Sequence, residues 1–188
     1  MAIIKQQDLI DSVADALQYI SYYHPLDFVQ ALEKAYHKEE SQAAKDAIAQ
    51  ILINSRMSAH GKRPICQDTG IVTCFVKVGM AVQWDSTDMT IQQMVDEGTR
   101  RAYNNPDNPL RASIVADPTG ARKNTKDNTP AVIHTKLVPG NTVDVHVAAK
   151  GGGSEAKSKF AMLNPSDSIV DWVLEQIPKM GAGWCPPG

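Results

Sequence analysis

The run IVTCFVKV at residues 71–78 most restricts the fold, because it concentrates β-branched and aromatic residues at a density that a helix disfavours and so reads as a strand. Cys74 falls on the same face of that strand as Val72, Val76 and Val78, where it suits a packed core thiol. Residues 131–138 and 142–149 carry a similar pattern. Val143, Val145 and Val147 alternate with Asp144 and His146, and Pro139-Gly140-Asn141 reads as the turn of a β-hairpin. The chain before residue 61 has another period. Leu9, Val13, Ala16, Leu17 and Ile20 recur at helical spacing, and His24-Pro25 opens a second segment through Phe28, Val29, Leu32 and Tyr36. A third runs from about Ser41 through Ala44, Ile48, Ile51 and Leu52 to Gly61. Each carries one apolar stripe, which implies a packing partner. The expected fold is therefore α+β: N-terminal helices packed with a small mixed or antiparallel sheet containing a β-hairpin, and further helices covering it.

Two more helices complete that expectation. One spans residues 90–103, where Thr90 and Gln93 match a capping box. The other starts near Asn164 or Ser166 and is expected to bury Ile169, Trp172, Val173 and Ile177. Between them, residues 104–130 hold four prolines among Asn, Asp, Thr and Lys, a long irregular connection of the kind that often carries function. With 43% hydrophobic residues in 188, the chain can bury a core, and the sequence shows no repeat and no convincing domain boundary.

Charge and hydropathy narrow the function. A formal charge of −2 gives no surplus for neutralising phosphates, so no nucleic acid is expected, while a local arginine can still hold a small anion. No apolar run reaches the length of a membrane span, and MAIIKQQDLI lacks the features of a secretory signal, so the chain reads as cytoplasmic with no membrane association. Three cysteines suit a reducing compartment, in which a special cysteine serves as metal ligand or nucleophile.

Two of those cysteines stand outside regular structure. Cys66 lies in KRPICQDTG, directly followed by Gln67 and Asp68, and Cys185 lies in GAGWCPPG, where a following proline recurs beside cluster-ligating cysteines. Asp68 and Thr69 either organise a turn or face a bound group. Arg111 in NPLRAS could fork onto a carboxylate or remain a solvated surface residue. Gly151, Gly152 and Gly153 form either an anion-binding nest or a flexible turn, and they match neither a P-loop nor a dinucleotide fingerprint. His24, His37 and His60 read as surface or helix-end histidines, and His134 and His146 on the hairpin's more polar faces have no spacing to the cysteines that argues ligation. Without a paired CxxC or CxxH a zinc-binding domain is poorly supported.

Taken in order, ICQDTG, NPLRASIVADP, NTKDNTPAVIH, AAKGGGSE, FAMLNPSDSIVDWV and GAGWCPPG resemble the class I, iron-sulfur-dependent fumarate hydratases and the related tartrate dehydratase α subunits. The resemblance covers nearly the whole chain. It implies a hydro-lyase that reversibly hydrates fumarate to (S)-malate with a 4Fe-4S cluster, one iron of which keeps an open position. By motif, Cys66 and Cys185 would be two cluster ligands, and Gln67, Asp68, Arg111 and Gly151 to Gly153 would contact the dicarboxylate substrate. Asp68 would also pass a proton to the departing hydroxyl.

The resemblance further implies a third cysteine ligand outside this chain. Residues 1–188 would then be the N-terminal portion of the catalytic domain, ending after the second ligand, inactive and without a cluster on its own, and the full-length protein would be a homodimer. A tartrate or mesaconate hydro-lyase of the same family, and a non-catalytic anion-binding module, are the rival readings.

Overall fold

A computed structural model describes residues 3–151 and 159–180. The chain divides into two units, residues 1–150 and 151–188.

In the first unit, β1 (Ile3–Ile4) leads into three helices: α1 (Gln6–Tyr22), α2 (Leu26–Lys38) and α3 (Gln42–Gly61). Only α1 is deeply packed. Its stripe of Leu9, Ile10, Val13 and Leu17 is buried, whereas α2 has no buried residue and α3 buries only Ser55 and Ser58. After β2 (Ile71–Gly79), the short β3 (Gln83–Trp84) pairs in parallel with β1. Helix α4 (Ile91–Tyr103) then packs against α1.

The expected capping box opens α4. The Thr90 hydroxyl accepts from Gln93 N at 3.2 Å while Gln93 Oε1 accepts from Thr90 N at 2.8 Å. From that start the helix buries Met94, Val95, Ala102 and Tyr103 against the core. Full burial of an aliphatic side chain such as Val13 or Val95, both 0% exposed, stabilises by about 1.5–3 kcal/mol.

The long connection after α4 contains only a two-stranded arm, β4 (Val115–Ala116) with β5 (Lys123–Asn124), and leads to β6 (Val132–Val138) and β7 (Val143–Lys150). The sheet they form is mixed, and the α+β class holds. The expected hairpin does not. β6 and β7 are not neighbours: the order is β6-β2-β7, with β2 parallel to β6 and antiparallel to β7.

Alternation reports which face a residue occupies, and this is the same whether two strands pair directly or flank a third. The connection at 139–142 therefore crosses the end of β2. Gly79 N donates to Thr142 O at 2.9 Å and Ala81 N to Gly140 O at 2.8 Å, and a Cβ on Gly79 would stand 2.4 Å from Gly140 O, so only glycine passes beneath that crossing.

Cys74 sits between Ile133 and Val147 on the inner face, in the core with Val72 and Val76. On the opposite face Phe75 lies between His134 and His146 and stacks on His134 with ring centroids 5.0 Å apart.

In the second unit, α5 (Ile169–Met180) begins later than expected. Residues 164–167 close into a turn, with Asp167 N donating to Asn164 O at 2.9 Å and Asn164 N to Asp167 Oδ2 at 2.7 Å, and Ser168 Oγ then accepts from Asp171 N at 3.2 Å. The expected burial of Ile169, Trp172, Val173 and Ile177 is not observed. Helix α5 has no buried residue, Trp172 is half-buried, and Ile169 and Ile177 are 69% and 58% exposed. An apolar stripe marks a face that can be covered but supplies no cover itself.

Candidate active site

Helix α3 stops because Lys62 takes the left-handed conformation at φ 46°, and Arg63 N then bonds back to Ser58 O at 3.2 Å. Pro64 cannot continue the helix. Ile65 is held from two sides: its N–H donates to Ser21 O at 2.8 Å and its carbonyl accepts from Asn54 Nδ2 at 2.9 Å. This fixes the turn that follows against the C-terminal end of α1.

Within the turn, the Cys66 thiol donates to Gln67 Oε1 at 3.2 Å and its sulfur accepts from Asp68 N at 3.5 Å. Asp68 Oδ1 accepts from Gly70 N at 3.0 Å, which orients the carboxyl. Gly70 has φ 80°, and a Cβ there would stand 2.7 Å from Ala149 C and 2.8 Å from Lys150 N. The turn thus needs glycine twice over, for its conformation and for its approach to the end of β7.

Cys66, Asp68 and Thr69 line one side of a cavity of about 90 Å³ whose other walls include Leu17, Ile20, Tyr103 and Leu110. Thr69 Oγ1 donates to Arg111 O, which brings the backbone of Arg111 to the turn. Its exposed guanidinium makes no ion pair with the described residues. Ile71 pairs with Lys150, so the end of β7 lies beside the turn's end. Two of the expected stretches therefore converge: Cys66 with Gln67 and Asp68, and the Arg111 backbone. Gly152, Gly153 and Cys185 lie outside the described residues.

Two residues at this junction escaped the sequence reading. Tyr103 ends the buried stripe of α4 and its hydroxyl donates to Thr69 O at 2.6 Å. Burial pushes its pKa up to about 12, so it remains a donor at neutral pH. The apolar stripe was a usable signal, since a buried tyrosine hydroxyl needs a partner. Asn128 is fully buried and bonds Gly70 O, Ser113 N and Ile114 N. Nothing local in NTKDNTP distinguishes it from its less buried neighbours.

The profile of the fumarate hydratase (fumerase) family matches residues 10–188. The chain belongs to this family. It is also 34% identical over 185 residues to a Methanocaldococcus jannaschii protein named "Putative L(+)-tartrate dehydratase subunit alpha", covering 94% of this chain and 63% of that protein. The L(+)-tartrate dehydratase subunit alpha of Escherichia coli strain UTI89 is 30% identical over 185 residues, with 95% of this chain and 59% of that protein covered. The chain therefore spans about three fifths of the length of these fumerase-family relatives. No helix among the described residues is long and apolar enough to cross a membrane.

The two described thiols differ in how they suit a cluster. Cys66 is partly exposed at the cavity and accepts a backbone N–H, the kind of hydrogen bond that tunes a ligating sulfur, so its donor chemistry fits. Cys74 does not fit. It is 0% exposed, and burial, with the Asp96 charge adding to it, pushes its pKa up to about 12. Among the described residues no group of three His, Cys, Asp or Glu could hold a metal ion, so Cys66 stands there as a single donor.

Proposed function

We propose that the full-length protein is a hydro-lyase that reversibly adds water across the double bond of a C4 dicarboxylate, taking fumarate to (S)-malate. The observation that carries this reading is the convergence of the Cys66–Gly70 turn with the backbone of Arg111 in a member of the fumerase family. In this reading residues 1–188 are the N-terminal part of the catalytic domain. A 4Fe-4S cluster would be held by Cys66, Cys185 and a third cysteine outside this chain. When bound, it supplies a Lewis acid for the substrate's oxygens.

The chain's own residues bind the diacid and handle a proton. Arg111 presents a planar fork that matches a carboxylate. Gln67 donates through its amide, and Gly151, Gly152 and Gly153 would supply further contacts to the substrate. In the dehydrating direction Asp68 hands a proton to the departing hydroxyl, which leaves as water. A base in the rest of the full-length protein takes the proton from the adjacent carbon, and that C–H electron pair becomes the double bond. In hydration both protons move the other way. The Gly70 N–H bond holds the Asp68 carboxyl in place for its transfer. The tartrate dehydratase names of the relatives favour a second reading, the same chemistry on tartrate.

The test is steady-state kinetics of the full-length protein on fumarate, malate, mesaconate and tartrate. Fumarate and malate should be turned over, and Asp68→Asn should lower kcat by roughly a hundredfold or more, as loss of a proton-transfer group does. Turnover of tartrate alone would select the second reading. A protein that binds phosphate or ATP and turns over none of these acids would overturn both.

A further inference from the structure

The turn at 66–70 carries Gln67 and Asp68, and the segment at 110–114 carries Arg111. No backbone-to-backbone hydrogen bond joins the two segments among the described residues. Their separation is therefore set by side chains: Thr69 Oγ1 donates to Arg111 O, Ser113 Oγ donates weakly to Gly70 O at 3.5 Å, and Asn128 is the buried side chain that bonds to both segments. Its Nδ2 donates to Gly70 O at 2.9 Å, and its Oδ1 accepts from Ser113 N at 2.8 Å and Ile114 N at 3.2 Å. Each contact lies two or three residues from a group assigned to the substrate.

Asn128 is itself a fixed point. Its side chain is 0% exposed, and its backbone has φ 61°, a left-handed conformation that asparagine tolerates better than most residues. Both flanks are tied to α4: Asp127 Oδ2 accepts from Arg100 Nε at 3.2 Å, and Asp96 Oδ1 accepts from Ala131 N at 2.8 Å. A buried amide with its donor and acceptor both engaged holds position more tightly than a solvated one, because leaving either group unpaired costs its full desolvation.

We propose that Asn128 is a positioning residue that sets the separation between the Gln67–Asp68 turn and Arg111, and thereby the length of diacid the site accepts. This rests on the reading of Arg111 as the carboxylate anchor.

The experiment uses the full-length protein and four forms: wild type, Arg111→Ala, Asn128→Asp and the double variant. Asn128→Asp keeps the acceptor for Ser113 and Ile114 but replaces the donor to Gly70 O with a second oxygen. Affinity for succinate, an unreactive diacid, is read from its thermal shift, and KM and kcat are measured alongside. Asn128→Asp should weaken succinate and raise KM by roughly tenfold, the scale of one lost hydrogen bond to a buried partner, with a smaller change in kcat. In the Arg111→Ala background the same change should cost less than about twofold, since nothing remains to be positioned.

Full additivity of the two changes, or a lowered melting temperature with succinate affinity intact, would reduce Asn128 to fold stabilisation and overturn the proposal. Unchanged succinate affinity in Arg111→Ala alone would instead overturn the anchor reading, and this proposal with it. Should Asn128→Asp not fold, Asn128→Gly replaces it. Glycine accepts the left-handed backbone and leaves room for water to meet the freed groups, and the same non-additivity is then required.

Discussion

Cys66 and Cys74 are eight residues apart in sequence, and the structure treats them in opposite ways. Cys74 is held on both sides by strands in register, opposite Ile133 and Val147, and is sealed from water. Cys66 sits in a turn fixed by single hydrogen bonds from Asn54, Tyr103 and Asn128, and its sulfur reaches a cavity. A ladder holds every residue of a strand at once, whereas a side-chain clamp holds a few atoms and leaves the rest available. Chemistry that needs an accessible thiol beside polar groups belongs in the second kind of region.

Thiol labelling should break or sharpen this contrast most. In metal-free protein an alkylating reagent should modify Cys66 in the native state and Cys74 only through opening of the core. The rates should differ by roughly a thousandfold or more, since unfolded fractions lie near 10⁻³ to 10⁻⁶. Peptide mapping by mass spectrometry reads both sites together, and comparable rates would show that the strand region is not sealed.

Gly70→Ala comes next, because it attacks the junction between the two regions. The backbone is left-handed there and the new Cβ meets backbone atoms of Ala149 and Lys150, so a loss of about 3 kcal/mol in urea unfolding is expected.

The most gradual effect is in alkali. Cys74 and Tyr103 both have pKa values raised to about 12 by burial, from ordinary values of 9.0 and 10.0. Over that range the folded protein binds more protons than the unfolded one, so stability is fully present below about pH 9 and falls as pH rises towards 12. The slope is at most about 1.4 kcal/mol per pH unit for each group. A Cys74→Ala, Tyr103→Phe variant should show a flatter decline between pH 9 and 11 in urea titrations, and an unchanged slope would place the sensitivity elsewhere.

Much of this was legible in the chain because periodicity and capping are local. The stripe of Leu9, Val13 and Leu17, the Thr90–Gln93 box and the face shared by Val72, Cys74 and Val76 all follow from spacing, and the structure carries each of them. The turn residues Cys66 to Gly70 stood out because so many polar types crowd together before a strand. The order of the strands was not legible, since the valines of β7 alternate identically beside β2 or beside β6. Nor was Asn128, whose importance depends on Gly70 and Ser113, at sequence separations of 58 and 15.

By itself, then, the sequence determined which faces are apolar, where α1 and α4 run, which thiol belongs to a strand and which residue types gather at the turn. Only the tertiary structure decided that β2 separates β6 from β7, that α5 leaves Ile169 and Ile177 exposed, and that a buried amide joins the Cys66–Gly70 turn to the segment bearing Arg111. The physical reason is range. Helical and strand preferences act over a few residues, while a hydrogen bond across tens of residues exists only once the core has brought its two ends within 3 Å.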